Sequence, residues 1–420
     1  MAYDRVSVEG KRTLCGEIWL QGSKNAALPM LAASVINKGV TRLNNCPDIS
    51  DVNDMIMLLE SIGCRVVREK RAIIINANNI HGYEIPKEVA KRTRGSFIML
   101  GALLARCGCV KIPYPGGCRI GSRPVDIHLK ALCKIGMEII TDSDDGIDAV
   151  FKKKAVHVRF SYPSVGATEN CILASVLGEG VVVISNAARE PEIVALCDLL
   201  MAMGADILGA GTSRIVIRGV EKLHDAEYTV PGDRIVAGTY MTAAMISHGS
   251  ITIRGIRTKE VLPEIEVFCK AGANITTWDN TLHIRGDKNI IKPVRRVVTG
   301  PYPGFPTDMQ SQLMSMLIYA DGKSSIVENV FENRFMTVNE LAKLGADICV
   351  HGKTAYISPA GHLYGADMCA ADLRGGAALV LAALGAIGKS NISGYRHIER
   401  GYEDLAGNLS MLGAFVKAET

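Results

Sequence analysis

One glycine-centred signature recurs six times along the chain and constrains its fold more than any other feature. It reads apolar residue, Gly, small or apolar residue, one variable residue, then Ile or Val. The copies centre on Gly63, Gly136, Gly204, Gly272, Gly345 and Gly413, at spacings of 73, 68, 68, 73 and 68 residues. A second mark keeps the same beat. Apolar, helix-like runs ending in Gly occur at 26–39, 95–108, 169–180, 237–249, 310–322 and 375–388. They are apolar on nearly all sides, which predicts buried helices. The closing Gly of each is expected as a C′ cap, where the absence of a Cβ lets the chain turn left-handed. Each unit then reads buried helix, strand, polar loop, amphipathic helix, Gly, strand, turn, strand. The pattern pairs Val66 with Ile75, Ile207 with Ile217, and Ile275 with Ile284.

Six α/β units with buried helices imply helices enclosed by sheets. The chain has 420 residues, more than one core accommodates, and two domains of three units each are expected. Residues 3–21 read as two strands around Gly10 and Gly16 without a unit of their own. They are expected to complete the sheets of the last three units. The predicted domains are therefore 22–230, and 1–21 together with 231–420. The crossings fall near Gly22 and near Pro231-Gly232.

Composition narrows the function. The 47 basic and 43 acidic residues nearly balance, and no like-charge block is long enough for a nucleic-acid arm. No apolar stretch reaches the length of a transmembrane helix, and the first residues lack a signal-peptide core. The expected location is the cytoplasm, with the twelve cysteines reduced. They form no CxxC pair, and the nine histidines form no H-x-x-x-H cluster, so neither a metal nor a cofactor is expected. No G-x-x-x-x-G-K-[ST] loop and no hydrolase-type nucleophile elbow is present.

In a repeat fold, function collects in the loops that break the shared pattern. The segment 115–126 holds Gly116, Gly117 and Gly121 between Pro115 and Pro124, so it is a loop. It carries Cys118 and Arg123. A guanidinium near a thiol favours the thiolate and also holds an anion; the alternative is a turn with a small inert Cys. Lys24 precedes the first buried helix, whose N-terminus favours an anion; the alternative is an N-cap Ser23 beside a snorkelling lysine. Arg94 and Ser164-Val165-Gly166 stand before the second and third helices. Asp308 follows the stiff turn Pro303-Gly304-Phe305-Pro306, as a candidate base or as a plain N-cap. Arg334, Arg374 and Arg400 lie in later loops and helix starts. Recurring cations in both halves suit a phosphate- or carboxylate-bearing ligand.

At these residues the chain resembles the enolpyruvyl transferase family, in the branch that uses UDP-N-acetylglucosamine as acceptor. The resemblance spans essentially the whole sequence. It is carried by GSKNAALPML (22–31), RGSFIMLGALLAR (94–106), PGGCRIGSRPVDIHL (115–129), PSVGATEN (163–170), NAAREPEI (186–193), FPTDMQSQ (305–312), ENRFM (332–336), ADLRGGAALVLA (371–382) and HIERGYE (397–403). It implies a two-domain inside-out α/β barrel of six repeats. It also implies transfer of the enolpyruvyl group of phosphoenolpyruvate to the sugar 3′-hydroxyl, with release of phosphate, the opening step of peptidoglycan synthesis. By the same resemblance, Asp308 matches the proposed base. Cys118 matches the loop cysteine that acts as acid or in product release and that fosfomycin alkylates. Lys24, Arg123 and Arg400 match the phosphoenolpyruvate clamp, with Arg334 and Arg374 beside it. Asn25, Arg94, Arg123, Pro124, Val125, Asp126, Ile127, Ser164, Val165, Gly166, Asp308 and Val330 match nucleotide-sugar contacts. Val330 also has packing as an ordinary role.

Two residues depart from the family pattern. Arg119 follows Cys118 where many relatives have a small residue, and Tyr162 stands where some have a lysine near the diphosphate. The competing readings are transfer to another acceptor such as shikimate 3-phosphate, and a non-catalytic nucleotide-sugar sensor. A sensor could dispense with Cys118 and Asp308, and both are present.

Overall fold

The six signature glycines all take the left-handed backbone that side chains disfavour. Their φ values are 103° at Gly63, 127° at Gly136, 97° at Gly204, 99° at Gly272, 97° at Gly345 and 103° at Gly413. Each ends an amphipathic helix and turns the chain into a strand, so the repeat is a backbone requirement before it is a packing pattern. The computed structural model describes residues 4–115, 125–286 and 290–419.

The six apolar runs form the buried helices Lys24–Ser34, Met99–Cys107, Val165–Ser175, Arg234–Ile246, Gln310–Leu317 and Leu373–Gly385. Every residue of Arg234–Ile246 and of Gln310–Leu317 is buried. The closing glycines are not, in general, caps. Gly108 alone caps its helix in the left-handed conformation, its N–H donating to Leu104 O at 3.1 Å. Gly180 and Gly388 have positive φ but stand further along, in the turn into the strand. At Gly39, Gly249 and Gly322 a Cβ would instead strike the Asp225 carboxylate, the Leu14 carbonyl and the Pro293 ring. Those three glycines are required by close approach of a neighbouring strand, not by helix termination.

Each unit contributes one sheet. In the first, Ala226–Thr229, Val40–Asn44, Ala72–Asn76 and Arg65–Glu69 lie side by side. The third (Val156–Arg159, Val181–Ser185, Arg214–Arg218, Asp206–Leu208) and the fourth (Cys15–Trp19, Ser250–Arg254, Thr281–Arg285, Asn274–Trp278) repeat that order. So does the fifth, with Val297–Val298, Ser324–Val327, Thr354–Ser358 and Asp347–His351. The second has three strands, Cys109–Ile112, Gly146–Phe151 and Met137–Ser143. The expected pairs are in register: Val66 opposite Ile75, Ile207 opposite Ile217, Ile275 opposite Ile284. Residues 5–19 complete two sheets. Cys15–Trp19 runs parallel to Ser250–Arg254. Arg5–Glu9 lies antiparallel between Lys389–Ser393 and Phe415–Glu419 in the sixth sheet, which Asp367–Cys369 closes.

The described chain divides into two compact units, one of residues 22–115 and 125–231, the other of residues 4–21, 232–286 and 290–419. Each has its own apolar core, built from its three buried helices and the inward faces of its three sheets. Where the chain enters each unit, a glycine is pressed against backbone. A Cβ on Gly22 would meet the Asn45 carbonyl, and one on Gly232 the Gly255 carbonyl. Among the described residues no helix is long and apolar enough to cross a membrane.

Candidate active site

Asp308 sits in the single 3₁₀ turn Thr307–Met309, which the extended Pro306 admits and which opens the fifth buried helix. It does not cap that helix. Its Oδ1 accepts a short hydrogen bond from Arg334 Nη2, and its Oδ2 accepts from Arg374 Nε at 3.3 Å and Nη2 at 3.1 Å. Both arginines are buried. Arg334 is set by the 3₁₀ turn Arg334–Met336, and its Nη1 lies 3.9 Å from Asp372. Arg374 is in the first turn of the sixth buried helix, which Asp372 caps through the N–H groups of Arg374 and Gly375, each at 3.0 Å.

Glu328 binds this turn to the loop behind it. Its Oε2 accepts from Thr307 Oγ1 at 2.9 Å, and its Oε1 accepts the N–H groups of Val330 at 2.7 Å and Phe331 at 3.1 Å. Thr307 Oγ1 in turn accepts from Arg334 Nε at 3.4 Å. One buried carboxylate thus fixes Thr307, the Val330 backbone and, through Thr307, Arg334. Beneath Arg374, the Tyr402 ring centre is 5.9 Å from the guanidinium, and Tyr402 Oη is 2.7 Å from Thr239 Oγ1. Burial opposes the Arg374 cation, but Asp308, Tyr402 and Asp233 outweigh it and move its pKa up. Nη1 of Arg374 is buried without an acceptor among the described residues. An unmet buried donor is costly, and a ligand oxygen would satisfy it. Arg400 is half-buried in the turn that follows Tyr395–His397.

In the unit of residues 22–231, Ser23 caps the first buried helix, its Oγ accepting from Ala26 N at 3.3 Å. Lys24 does not snorkel. Its side chain is 11% exposed and forms a short ion pair with Asp51, in the first turn of the amphipathic helix Ser50–Ser61. Asn25 is half-buried beside it. Ser164 caps the third buried helix through Ala167 N at 3.3 Å, with Val165 and Gly166 in its first turn. A Cβ on Gly166 would meet the His128 ring, so this glycine lets the helix start lie against the Val125–Leu129 segment. Asn170 holds the same corner together. Its Nδ2 reaches Phe97 O at 3.1 Å and His128 Nδ1 at 3.0 Å, and its Oδ1 accepts from Gly101 N at 2.6 Å.

Val125 and Ile127 pack against the core of that unit. Asp126 instead faces Lys130 at 3.0 Å on the helix surface. Arg94 opens the 3₁₀ segment Arg94–Ile98. Cys118, Arg119, Arg123 and Pro124 lie outside the described residues. Tyr162 is exposed.

Asp51, Thr307, Glu328, Asp372 and Tyr402 carry the geometry without having stood out as site residues. Asp51 looks like an ordinary first-turn acid, which a helix N-terminus favours. Tyr402 and Asp372 at least stand inside quoted motifs. Nothing in the residues around Glu328 distinguishes it from a loop acid. The third buried helix also carries Glu169, wholly buried, whose pKa rises to about 8 through desolvation and through Glu192 and Glu190. Burial pushes the thiols of Cys64 and Cys197 up to about 12 and that of Cys171 higher still, so these three are poor nucleophiles.

The fold is that of the enolpyruvyl transferases. A crystal structure of the enolpyruvyl transferase NikO from Streptomyces tendae superposes with a TM-score of 0.90, at 24% identity, over 99% of both chains. The family model described as EPSP synthase (3-phosphoshikimate 1-carboxyvinyltransferase) matches residues 8–409, and the chain belongs to this enolpyruvyl transferase family. Within it, the chain is 45% identical to UDP-N-acetylglucosamine 1-carboxyvinyltransferase 2 of Caldanaerobacter subterraneus subsp. tengcongensis, over 98% of both chains. It is 42% identical to UDP-N-acetylglucosamine 1-carboxyvinyltransferase 1 of Halalkalibacterium halodurans, over 99% of this chain and 94% of that one.

Proposed function

We propose that the protein transfers the enolpyruvyl group of phosphoenolpyruvate to the 3′-hydroxyl of UDP-N-acetylglucosamine and releases phosphate. The observation that carries the chemistry is the Asp308 carboxylate between Arg334 and Arg374. The acceptor is supported by relatives of 40–45% identity that bear that name. The shikimate 3-phosphate alternative has weaker support, since the relatives at this identity are named for the nucleotide-sugar acceptor.

The reaction adds the hydroxyl oxygen to C2 of phosphoenolpyruvate, an enol phosphate, while C3 gains a proton. The tetrahedral adduct then loses phosphate and a C3 proton. Asp308 would take the hydroxyl proton. Both its oxygens accept guanidinium N–H groups, three in all, and a carboxylate has lone-pair capacity beyond these for the hydroxyl proton. A substrate anion drawing Arg374, which already has an unmet donor, would open Oδ2 further for that step. Lys24, Arg123 and Arg400 would hold the phosphate and carboxylate of phosphoenolpyruvate, as charge-assisted bonds favour. Asn25, Arg94, residues 124–127, Ser164 to Gly166 and Val330 would contact the nucleotide sugar. Cys118 would supply the acid or assist product release. A cytoplasmic setting, with no cofactor, goes with this reading.

The direct test is phosphate release with UDP-N-acetylglucosamine against shikimate 3-phosphate as acceptor. Turnover with the former alone is expected, and turnover with neither would end the proposal. Fosfomycin treatment followed by peptide mass mapping should place the adduct on Cys118 among the twelve thiols. Alkylation concentrated elsewhere would remove Cys118 from the assigned role.

A further inference from the structure

The repeat allows the parallel edge of each sheet to be compared with the other five. In the first sheet Glu227 on the edge strand lies 3.8 Å from Arg42 and accepts from Asn44 at 2.6 Å. In the second, which has no parallel edge strand, Glu84 makes an isolated parallel bridge to Lys111 and pairs with its side chain at 2.9 Å. In the third, His157 meets Ser185 at 2.7 Å. In the fourth, Glu17 pairs with Arg254, and in the sixth Asp367 accepts from Asn391 at 2.7 Å. Four edges thus present an acid to the neighbouring strand, and one presents a histidine hydrogen-bonded to a serine.

The fifth sheet reverses this. Its edge strand Val297–Val298 is preceded by Arg295 and Arg296, and its neighbour Ser324–Val327 by Lys323. None of the three cations has an ion pair among the described residues. They line a cavity of about 420 Å³ together with Ser325, Thr354 and Tyr356. Ser325 Oγ donates to Arg295 O at 2.7 Å, which fixes the backbone that carries the two arginines. Tyr356 stands opposite Ser325 in the register and is 51% exposed, with His351 edge-on at 6.2 Å. All three are exposed, so solvent screens their mutual repulsion, and an anion placed among them would gain from each.

We propose that this cavity is a second ligand site, separate from Asp308 and its arginines, and that it takes a nucleoside diphosphate. The volume suits a small molecule of that size. Arg295, Arg296 and Lys323 match the charge of a diphosphate, with guanidinium forks for its oxygens. The Thr354 hydroxyl offers a further donor, while the Ser325 hydroxyl is committed to Arg295 O. The Tyr356 ring gives the base a surface on which to stack. No residue of the cavity belongs to the transferase site, so the inference does not depend on that reading.

The probe is ADP, which is not a uridine nucleotide, titrated into the full-length protein by calorimetry. One ADP per chain is expected. The double variant Arg295→Gln/Arg296→Gln should weaken binding about tenfold or more, with unchanged melting temperature and unchanged phosphate release in the absence of ADP. Tyr356→Ala should weaken ADP but leave pyrophosphate binding as it was. Absence of binding at millimolar ADP would overturn the proposal, as would full binding by the double variant. Loss of ADP binding in Arg374→Met, with retention in the double variant, would assign the nucleotide to the other site. Equal loss of ADP and pyrophosphate in Tyr356→Ala, or loss of neither, would remove the base-stacking role and with it the nucleotide.

Discussion

Two buried ion-pair centres, one in each unit, use charge differently. Lys24 forms an ion pair with Asp51 at the start of a buried helix. Asp308 faces two buried guanidiniums, and one of them keeps a donor unmet among the described residues. Both centres cost desolvation, and both would be destabilised by removing one partner. Only the second places a candidate base under the control of groups that a ligand anion could draw away. The contrast separates a charge held in place from a charge held in readiness.

The sharpest way to break this contrast is Asp308→Asn, which keeps the shape and removes the base. Phosphate release should fall about 10²- to 10⁴-fold, while binding of the nucleotide sugar in calorimetry changes far less. If release is unaffected, Asp308 is structural and the two centres are alike. Lys24→Met should cost on the order of 3–5 kcal/mol of stability in urea unfolding, because the buried Asp51 carboxylate would lose its Lys24 partner. Lys24→Met/Asp51→Leu should recover most of that loss without recovering turnover. A double variant as unstable as the single would mean that the pair does more than balance charge.

Glu169 provides an electrostatic control away from both centres. Its folded pKa, about 8, lies above the ordinary glutamate value of 4.5. Between these values the folded protein retains a proton that the unfolded chain has lost. Stability therefore falls as pH rises, by up to about 1.4 kcal/mol per pH unit, and the contribution is gone above the folded pKa. Urea midpoints at about pH 5, 6.5 and 8.5 should drop in the parent and flatten in Glu169→Gln. A parent profile as flat as the variant's would show that Glu169 is ionised in the folded state. The smallest effect is expected for Glu328→Gln. An amide still accepts from Val330 and Phe331 but presents an N–H to Thr307. About 1–2 kcal/mol of stability should be lost, with KM rising more than kcat falls. The reverse split would place Glu328 closer to the chemistry than its hydrogen bonds suggest.

The repeat was legible because its glycines are demanded locally by positive φ and its strand pairs by alternation. The placement of residues 5–19 was legible because those strands had no unit of their own. The glycines after the buried helices misled. Gly39 and Gly249 answer to Asp225 and Leu14, 186 and 235 residues away by number, and no local rule reports such a collision. The site was legible only as motifs. The bonds that join Asp308 to Arg374 and Glu328 to Thr307 span 66 and 21 residues. Sequence marks which side chains are unusual, but their pairing is set by the packing of separate units.

The strand Arg5–Glu9 also has a consequence for synthesis. Residues 22–231 hold every strand of their three sheets and can close as soon as they leave the ribosome. The sixth sheet must wait, since Arg5–Glu9 pairs only with Lys389–Ser393 and Phe415–Glu419. During translation Val6 and Val8, both fully buried in the finished protein, remain without partners. An early, unpaired, apolar strand is the natural substrate for a nascent-chain chaperone and the natural seed for mispairing. The nascent chain would carry this unpaired strand until Lys389–Ser393 and Phe415–Glu419 have been made.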